Sequence, residues 1–332
     1  MPNFTNQQFS KIAQKYLPPL FLIIFFSLFF ARKTVLVSQD LGRHIINGQI
    51  FIQTQKIVST NFYSYTEPNF EAINHHWLSG VIFYLLQKNF GFFGLSIFYF
   101  LISGLTIFIF FKSSQKNSNF ILALLVTFLL LPLASMRKEI RPEGFSYLFS
   151  AIFFYLLSSY IKNEIKFTKL IPLLILTQLI WVNSHIFFIF GIFISGVFTF
   201  CEFLKLLSKN NDNKFIKILT LTLLLIIASL LNPYGLKGLI EPFNIFKEYG
   251  YQIVENQGLI FMQRYNPVFA YVYTEALSVL FFGALLYLFT KKTIFLNSSR
   301  LNFLFKFLFK EINFFENKSS FFLSKIYSIK FS

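Results

Sequence analysis

Several short polar segments in an otherwise apolar chain carry side chains that could do acid–base or anion chemistry. Asp40 follows a long apolar run, and His44 comes four residues later, so both lie on one face of the helix predicted over residues 41–56. An acid at a membrane edge is partly desolvated and can act as a general base, while the alternative is that Asp40 caps this helix. Arg43 and Arg141 could bind a phosphate group, and for Arg141 the alternative is a side chain that reaches lipid headgroups.

The remaining candidate binding residues lie in the same kind of segment, between long apolar runs. They are His75, His76, Glu143, Asn183, His185, Asn232 and Tyr234. Together with His44, these segments contain all four histidines of the chain. The alternative for His75 and His76 is an interfacial aromatic belt beside Trp77. The alternative for Asn183 and Asn232 is that their amides satisfy broken backbone.

The residues that could bind a metal are few. Asp40 and His44 could hold a divalent metal ion, but two ligands are too few to predict a metal site. The single cysteine, Cys201, excludes an internal disulfide and a cysteine-cluster site. The sequence also contains no glycine-rich phosphate loop and no HExxH, CxxC or GxSxG motif. We therefore predict neither a metal nor another cofactor.

The elements that must position these residues follow from the composition. Of the 332 residues, 55% are hydrophobic and 13% are charged, whereas a soluble domain carries about 25% charged residues. Phe accounts for 51 residues, which fill apolar runs and supply no reactive group. The net charge of +16 would suggest nucleic-acid binding in a soluble protein, but in a membrane protein it records topology. We therefore exclude a soluble enzyme and predict no nucleic-acid partner.

Eight apolar runs predict an all-α, polytopic bundle of about eight transmembrane helices, because a span needs about 20 apolar residues. The runs cover residues 17–30, 91–111, 120–135, 145–161, 170–182, 186–204, 215–231 and 270–290. The run 170–182 is the shortest, which predicts a tilted or broken helix. The short apolar stretch 77–86 predicts a helix that lies at the membrane interface, within the first outer loop.

The basic residues predict which ends of these spans face the cytoplasm. With the N-terminus inside, the inner segments are 1–16, 112–119, 162–169, 205–217 and 291–332, and they contain 19 of the 30 Lys and Arg residues. The positive-inside rule favours this orientation. The outer segments are 38–90, 136–144, 183–185 and 232–269, and they contain every candidate site residue. We therefore predict a cytoplasmic N-terminus and an outward-facing site.

The chain is predicted to divide into a transmembrane module, residues 1–290, and a basic, Phe-rich tail, residues 291–332. In the tail, Phe and Leu interleave with Lys306 and Lys310, which are four residues apart. This spacing favours an amphipathic helix on the cytoplasmic membrane surface, where lysines meet anionic lipids. The alternative is a low-complexity end without stable structure.

An ordered set of short motifs resembles bacterial polytopic membrane proteins related to the GT-C glycosyltransferases. The set covers roughly residues 17–290 and reads Asp40-Leu41-Gly42-Arg43-His44, Gly48, Asn61-Phe62-Tyr63-Ser64-Tyr65-Thr66, His75-His76-Trp77-Leu78, Arg141-Pro142-Glu143-Gly144-Phe145-Ser146, Trp181-Val182-Asn183-Ser184-His185 and Asn232-Pro233-Tyr234-Gly235. Within that superfamily, the similarity is to the protein-mannosyltransferase and aminoarabinose-transferase relatives.

This resemblance implies an activity at the outer face of the bacterial inner membrane. Enzymes of this superfamily transfer a sugar from a polyprenyl-phosphate carrier, and an acid in the first outer loop is the general base toward the acceptor. Asp40 occupies that position, and Arg43, His44, Arg141 and His185 are available to neutralise the departing phosphate. The implied partners are the lipid-linked sugar donor and membrane lipids, with an acceptor that the sequence does not identify.

Two other kinds of protein could use the same outer polar residues. A transporter or flippase of lipid-linked sugars would use them as an entry site, although such proteins are often built from two repeats and none is evident here. A catalytically inactive scaffold would retain the fold without the reaction. Convergence of Asp40, Arg141 and His185 on one outward cavity is expected of an enzyme, and wide separation is expected of a scaffold.

Overall fold

A computed structural model of the chain describes residues 39–116, 118–135, 139–207, 214–244 and 258–295, together with a few positions between 17 and 28. Most of the predicted span 17–30 and the predicted tail helix around Lys306 and Lys310 lie outside the described residues. Residues Met1–Tyr273 belong to one compact unit and Thr274–Ser332 to a second. All the candidate site residues belong to the first unit.

The described residues are mainly helical, which confirms the predicted all-α class. The helices are α1 (Gln39–Thr54), α2 (Trp77–Gln115), α3 (Phe120–Ser135), α4 (Glu143–Ile161), α5 (Phe167–Ser184), a 3-10 turn (Ile186–Phe188), α6 (Ile189–Leu207), α7 (Lys214–Ser229), α8 (Leu236–Asn244), α9 (Leu259–Tyr265) and α10 (Pro267–Phe295). Within the described ranges there is no β-sheet, and one isolated antiparallel bridge joins Thr60 to Glu71.

Five helical segments in the described residues are long and apolar enough to cross a membrane, which indicates an integral membrane protein. They are Trp77–Gln115, Glu143–Ile161, Phe167–Ser184, Ile186–Leu207 and Pro267–Leu286. The first four contain one predicted span each, and the fifth overlaps the predicted run 270–290. The run 170–182 belongs to a helix of 18 residues with Pro172 inside it. The helices α3 and α7 have 16 residues each. Their length of about 24 Å falls short of a hydrocarbon core of about 30 Å.

The division between the predicted interfacial helix 77–86 and the span 91–111 is visible inside α2. Gly91 interrupts the helix with φ 65° and ψ −167°, a backbone conformation that favours glycine. The residues before Gly91 therefore follow a different axis from those after it. This break allows Trp77 and His76 to stand beside α1 while the rest of α2 continues as a span.

An aromatic core holds α2, α4, α5 and α7 together. Trp181 and Phe153 are fully buried, and their rings lie 5.7 Å apart. Polar side chains inside the bundle pair with each other: Gln178 Nε2 donates to Ser229 Oγ at 2.8 Å, and Ser195 shares a hydrogen bond of 2.6 Å with Thr222. Small and hydroxyl-bearing residues are common between membrane helices because they allow close packing and internal hydrogen bonds.

Two glycines let α1 pack against the start of α2. A Cβ atom at Gly48 would lie 2.1 Å from the carbonyl oxygen of Gly80, and one at Gly80 would lie 2.7 Å from the carbonyl oxygen of His44. Any side chain at either position would push the two helices apart. This contact holds His44 next to the chain segment that carries His76.

Hydrogen bonds tie several helix ends together at one end of the bundle, here called the histidine end. Trp77 Nε1 donates to Asn183 Oδ1 at 2.9 Å, and Asn183 Nδ2 donates to the carbonyl oxygen of Leu231 at 3.2 Å. The hydroxyl of Ser79 donates to the carbonyl oxygen of Ser184 at 2.9 Å. The start of α2, the end of α5 and the residues after α7 therefore meet here.

Lysines tie the helices together at the opposite end, here called the lysine end. Lys116 pairs with Glu164 and donates to Ser159, and Lys214 Nζ donates to the carbonyl oxygen of Ile161 at 3.0 Å. Helix α4 runs from the histidine end to the lysine end, and its 19 residues measure about 28 Å. The two polar ends are thus separated by about the thickness of a membrane's hydrocarbon core.

Candidate functional site

A cluster of ion pairs lies at the histidine end, where α1 begins near the start of α4. Asp40 accepts from both arginines: Oδ1 lies 3.2 Å from Arg43 Nη2, and Oδ2 lies 3.2 Å from Arg141 Nη2. Arg141 also pairs with Glu139 at 2.7 Å and approaches Glu143 at 3.8 Å. The carboxylate of Asp40 is 39% exposed, whereas the guanidinium side chain of Arg141 is only 16% exposed. Asp40 therefore remains reachable from solvent while Arg141 is held among carboxylates.

Three imidazole rings form a row behind this cluster. His44 lies one helical turn after Asp40, its ring centroid is 5.0 Å from that of His76, and His76 is 5.1 Å from His185. Three separate chain segments supply the rings: α1, the loop before α2, and the junction between α5 and the 3-10 turn. The row extends from the region of Asp40 to the end of the aromatic core that lies nearest the histidine end.

Ser146 and Trp181 hold His185 in one orientation. Trp181 Nε1 donates to Ser146 Oγ at 2.8 Å, and Ser146 Oγ lies 2.7 Å from His185 Nδ1. The backbone N–H of Phe187 also points at Nδ1, at 3.4 Å, so Nδ1 is the acceptor. The hydroxyl of Ser146 therefore donates to Nδ1, and the proton of the neutral ring lies on Nε2. This leaves an N–H donor on the other edge of His185.

Burial keeps the histidines uncharged at neutral pH. It lowers the pKa of His44 to about 4, with Arg43 as a smaller cause in the same direction, and it lowers the pKa of His75 to about 4. Burial and then the nearby His44 lower the pKa of His185 to about 3. Burial, followed by His185 and His44, also lowers the pKa of His76. A neutral imidazole carries one donor and one acceptor, so each ring can bind a hydroxyl group.

Acidification should destabilise the protein between pH 6.5 and 4. In this interval the unfolded chain takes up a proton at His44 and at His75 while the folded chain does not, so the free energy of unfolding falls as pH falls. We expect a loss on the order of 3 kcal/mol for each of the two residues, measured by thermal unfolding of the purified protein from pH 8 to pH 4. The His75→Phe variant, which can retain the contact with Phe188, should show a shallower profile; an equally steep profile would contradict the assignment.

An open cavity of about 190 Å³ lies between α1 and the loop of residues 55–76. Its lining consists of Arg43, His44 and Asn47 from α1, and Val58, Thr60, Asn61, Tyr63, Ala72, Ile73, Asn74 and His76 from the loop. The hydroxyl of Tyr63 donates to Asn47 Oδ1 at 2.7 Å and fastens the loop to the helix. Arg43 lines the cavity and also pairs with Asp40, so the cavity and the ion-pair cluster adjoin.

Six of the predicted site residues form the ion-pair cluster or line the cavity, and the other five lie next to these six. Asp40, Arg43, Arg141 and Glu143 form the ion-pair cluster, and His44 and His76 line the cavity. His185 lies behind His76, and His75 packs against Phe188 with its rings 6.4 Å apart and with Nε2 unpaired among the described residues. Asn183, Asn232 and Tyr234 support the surrounding backbone.

The two asparagines satisfy backbone groups, as their sequence alternative proposed. Asn183 Nδ2 donates to the carbonyl oxygens of Leu179 and Leu231, and Asn232 Nδ2 donates to those of Ser229 and Gly235. The hydroxyl of Tyr234 accepts from the backbone N–H of Asn74 at 3.1 Å. Tyr234 therefore braces the loop residues that precede His75 and His76, and burial raises the pKa of its phenol.

Sequence reasoning missed four residues that contribute to this site. Asn47 comes three residues after His44 and therefore shares its helical face, which is a signal that could have found it. Tyr63 and Ser146 stand in motifs that were noticed but were given no role. Glu139 lies two residues before Arg141, and its pairing with that arginine depends on the local fold of the chain.

No group of three or more His, Cys, Asp or Glu residues suitable for a metal ion occurs in the described part of the chain. Comparisons with protein-family models, with curated proteins and with solved structures found no match to this chain.

Proposed function

We propose that this protein is a membrane glycosyltransferase of the GT-C type, which moves a sugar from a polyprenyl-phosphate carrier to an acceptor. The observation that supports it best is the ion-pair cluster of Asp40, Arg43 and Arg141, which come from two distant segments and lie at one end of an apolar bundle, beside a cavity that Arg43 lines. A lipid-borne phosphate needs such a site at the membrane edge. Of the three residues expected to converge in an enzyme, Asp40 and Arg141 pair with each other and His185 lies behind His76, but none of the three lines the described cavity.

The proposed reaction uses three groups of the cluster. The carboxylate of Asp40 takes the proton of the acceptor hydroxyl as its oxygen forms a bond to the sugar's anomeric carbon. The bond between that carbon and the phosphate oxygen breaks, and the polyprenyl phosphate leaves with the electron pair. Arg43 and Arg141 stabilise the added charge on the phosphate oxygens, for which the planar guanidinium is well suited.

The same proposal assigns the histidine end to the outer face of a bacterial inner membrane. The described lysine end is strongly basic, with Lys112, Lys116, Lys162, Lys166, Lys169, Lys205, Lys214 and Lys217 in its segments. Such a concentration of lysines is typical of cytoplasmic loops. About eight spans, with a cytoplasmic N-terminus, complete this topology.

Reconstitution into liposomes with a synthetic, radiolabelled polyprenyl-phosphate hexose tests the proposal. With cell-envelope glycolipids and peptides supplied as acceptors, we expect labelled sugar to appear on an acceptor and unlabelled polyprenyl phosphate to be released. Movement of the intact labelled lipid between leaflets, without cleavage, would overturn the proposal and favour the flippase. The absence of both cleavage and movement with every acceptor fraction would favour the inactive scaffold.

A further inference from the structure

The cavity between α1 and the loop 55–76 has a lining of mixed polar and apolar residues, with a single charged residue. Amides and hydroxyls dominate its polar part: Asn47, Asn61, Asn74, Thr60 and Tyr63. Arg43 is the one charged residue among the described residues that line it, and the carboxylate of Asp40, 3.2 Å away, offsets that charge. Such a surface suits neither an acyl chain nor a free ion, since each would leave polar groups or a charge unpaired.

His44 points to a ligand in this cavity. Its side chain is only 5% exposed, it lines the cavity, and its imidazole makes no hydrogen bond to another described residue. A ligand hydroxyl in the cavity would supply such a hydrogen bond. His76 lines the same wall, and its ring lies against that of His44 with no hydrogen bond between them. Two neutral histidines, each with one donor and one acceptor nitrogen, therefore belong to the lining of the cavity.

We propose that this cavity binds the sugar of the lipid-linked donor, and that it selects an uncharged sugar over an amino sugar or a uronic acid. The proposal rests on the glycosyltransferase function, whose phosphate-binding arginines adjoin the cavity. Each sugar hydroxyl both donates and accepts, which matches the amides, hydroxyls and neutral imidazoles of the lining. The volume of about 190 Å³ is below the 300–1,000 Å³ of drug-sized pockets and fits a single small ring.

The charge of the lining explains why an uncharged sugar would be preferred over an amino sugar or a uronic acid. A protonated amino sugar would meet no carboxylate in the described lining, so its ammonium group would remain without a counter-charge. A uronic acid would compete with the donor's own phosphate for Arg43, because the described lining offers no second cation. An uncharged hexose avoids both costs. The cavity therefore prefers uncharged sugars because its lining has no free charge to pair with a charged one.

Equilibrium binding in lipid nanodiscs tests this, since glycoside detergents would compete for the cavity. The probes are polyprenyl phosphate, the same lipid carrying a hexose, a 4-amino pentose or a hexuronic acid, and octyl hexoside, which has no phosphate. We expect the hexose to improve the Kd about tenfold over bare polyprenyl phosphate, and the two charged sugars to improve it less than twofold. Equal affinity for the hexose-bearing and bare lipids, or tighter binding of a charged sugar, would overturn the proposal.

Matched asparagine variants locate the effect. Asn47→Leu and Asn61→Leu should reduce the tenfold advantage of the hexose to less than twofold, whereas Asn89→Leu on the exposed surface of α2 should not change it. Asn61 makes no side-chain hydrogen bond to another described residue, so its variant remains informative if Asn47→Leu does not fold. Unchanged hexose selectivity in a folded Asn61→Leu variant would contradict the assignment. Binding of octyl hexoside without binding of any polyprenyl phosphate would refute the glycosyltransferase while retaining the sugar cavity.

Discussion

Asp40→Asn should reduce sugar transfer by at least 100-fold, and by up to about 10⁴-fold, without loss of folded protein from the membrane. The amide cannot take the proton of the acceptor hydroxyl. Its remaining oxygen can still accept from Arg43 or Arg141, which preserves part of the cluster. The measurement is the initial rate of transfer in liposomes at equal amounts of folded protein, with thermal unfolding as the check on stability.

Glu139→Gln is the matched control for this prediction. Glu139 also pairs with Arg141, at 2.7 Å, and its side chain is 48% exposed, close to the 39% of Asp40. The control therefore removes one of the negative charges that surround Arg141 and leaves the proposed base, Asp40, unchanged. We expect less than a tenfold loss of rate in Glu139→Gln. Full activity in Asp40→Asn, or equal losses in both variants, would show that Asp40 is not the base.

The helices of this protein could be predicted because the membrane imposes a length and a composition on each span. The runs 145–161 and 186–204 lie inside α4 and the segment Ile186–Leu207, and the run 120–135 coincides with α3. Whether a run is long enough to cross depends on the residues that extend it. The helix that contains the run 170–182 also includes polar residues at its ends, such as Lys169 and Asn183. Their backbone hydrogen bonds extend the helix, but a search for apolar residues does not detect them.

The sequence predicted that the polar segments lie at one end of the bundle, because successive helices run in opposite directions. It did not predict where each side chain points. Successive spans return the chain to the same side of the bundle, so Asp40, Arg141 and His185 were expected at one end. His75 and His76 are adjacent in sequence, yet only His76 lines the cavity, while His75 packs against Phe188. The fold of the loop around Asn74 decides between them, and sequence patterns carry little information about such a turn.

Hydrogen bonds between polar residues that are distant in sequence could not be predicted either. The side chain of His185 bonds to Ser146 on α4, and Ser146 in turn accepts from Trp181 on α5; both residues belong to apolar stretches. A serine in a membrane helix can equally bond to its own backbone, as Ser184 does with Ile180. The choice depends on which helix faces which, and residue types alone do not fix that choice.

Arg141 should be the second residue whose loss removes most of the activity. We expect Arg141→Ala to lower kcat/KM by about 10²–10³-fold, the usual effect of removing one donor that stabilises developing charge. The side chain is 16% exposed, and its removal leaves Asp40, Glu139 and Glu143 facing one another without it. Solvent reaches the carboxylates of Asp40 and Glu139, so the loss of these ion pairs should lower the unfolding temperature only modestly.

Arg141→Lys separates the structural role of this residue from its role in the reaction. The guanidinium uses three different nitrogens: Nη2 toward Asp40 at 3.2 Å, Nε toward Glu139 at 2.7 Å and Nη1 toward Glu143 at 3.8 Å. A lysine restores the charge but has one nitrogen, so it should recover much of the thermal stability and little of kcat/KM. Lys237→Met, which removes an exposed lysine paired with Glu71, should change neither. If Arg141→Lys recovered both quantities equally, the arginine would serve only to neutralise the carboxylates, and the leaving phosphate would have to depend on Arg43.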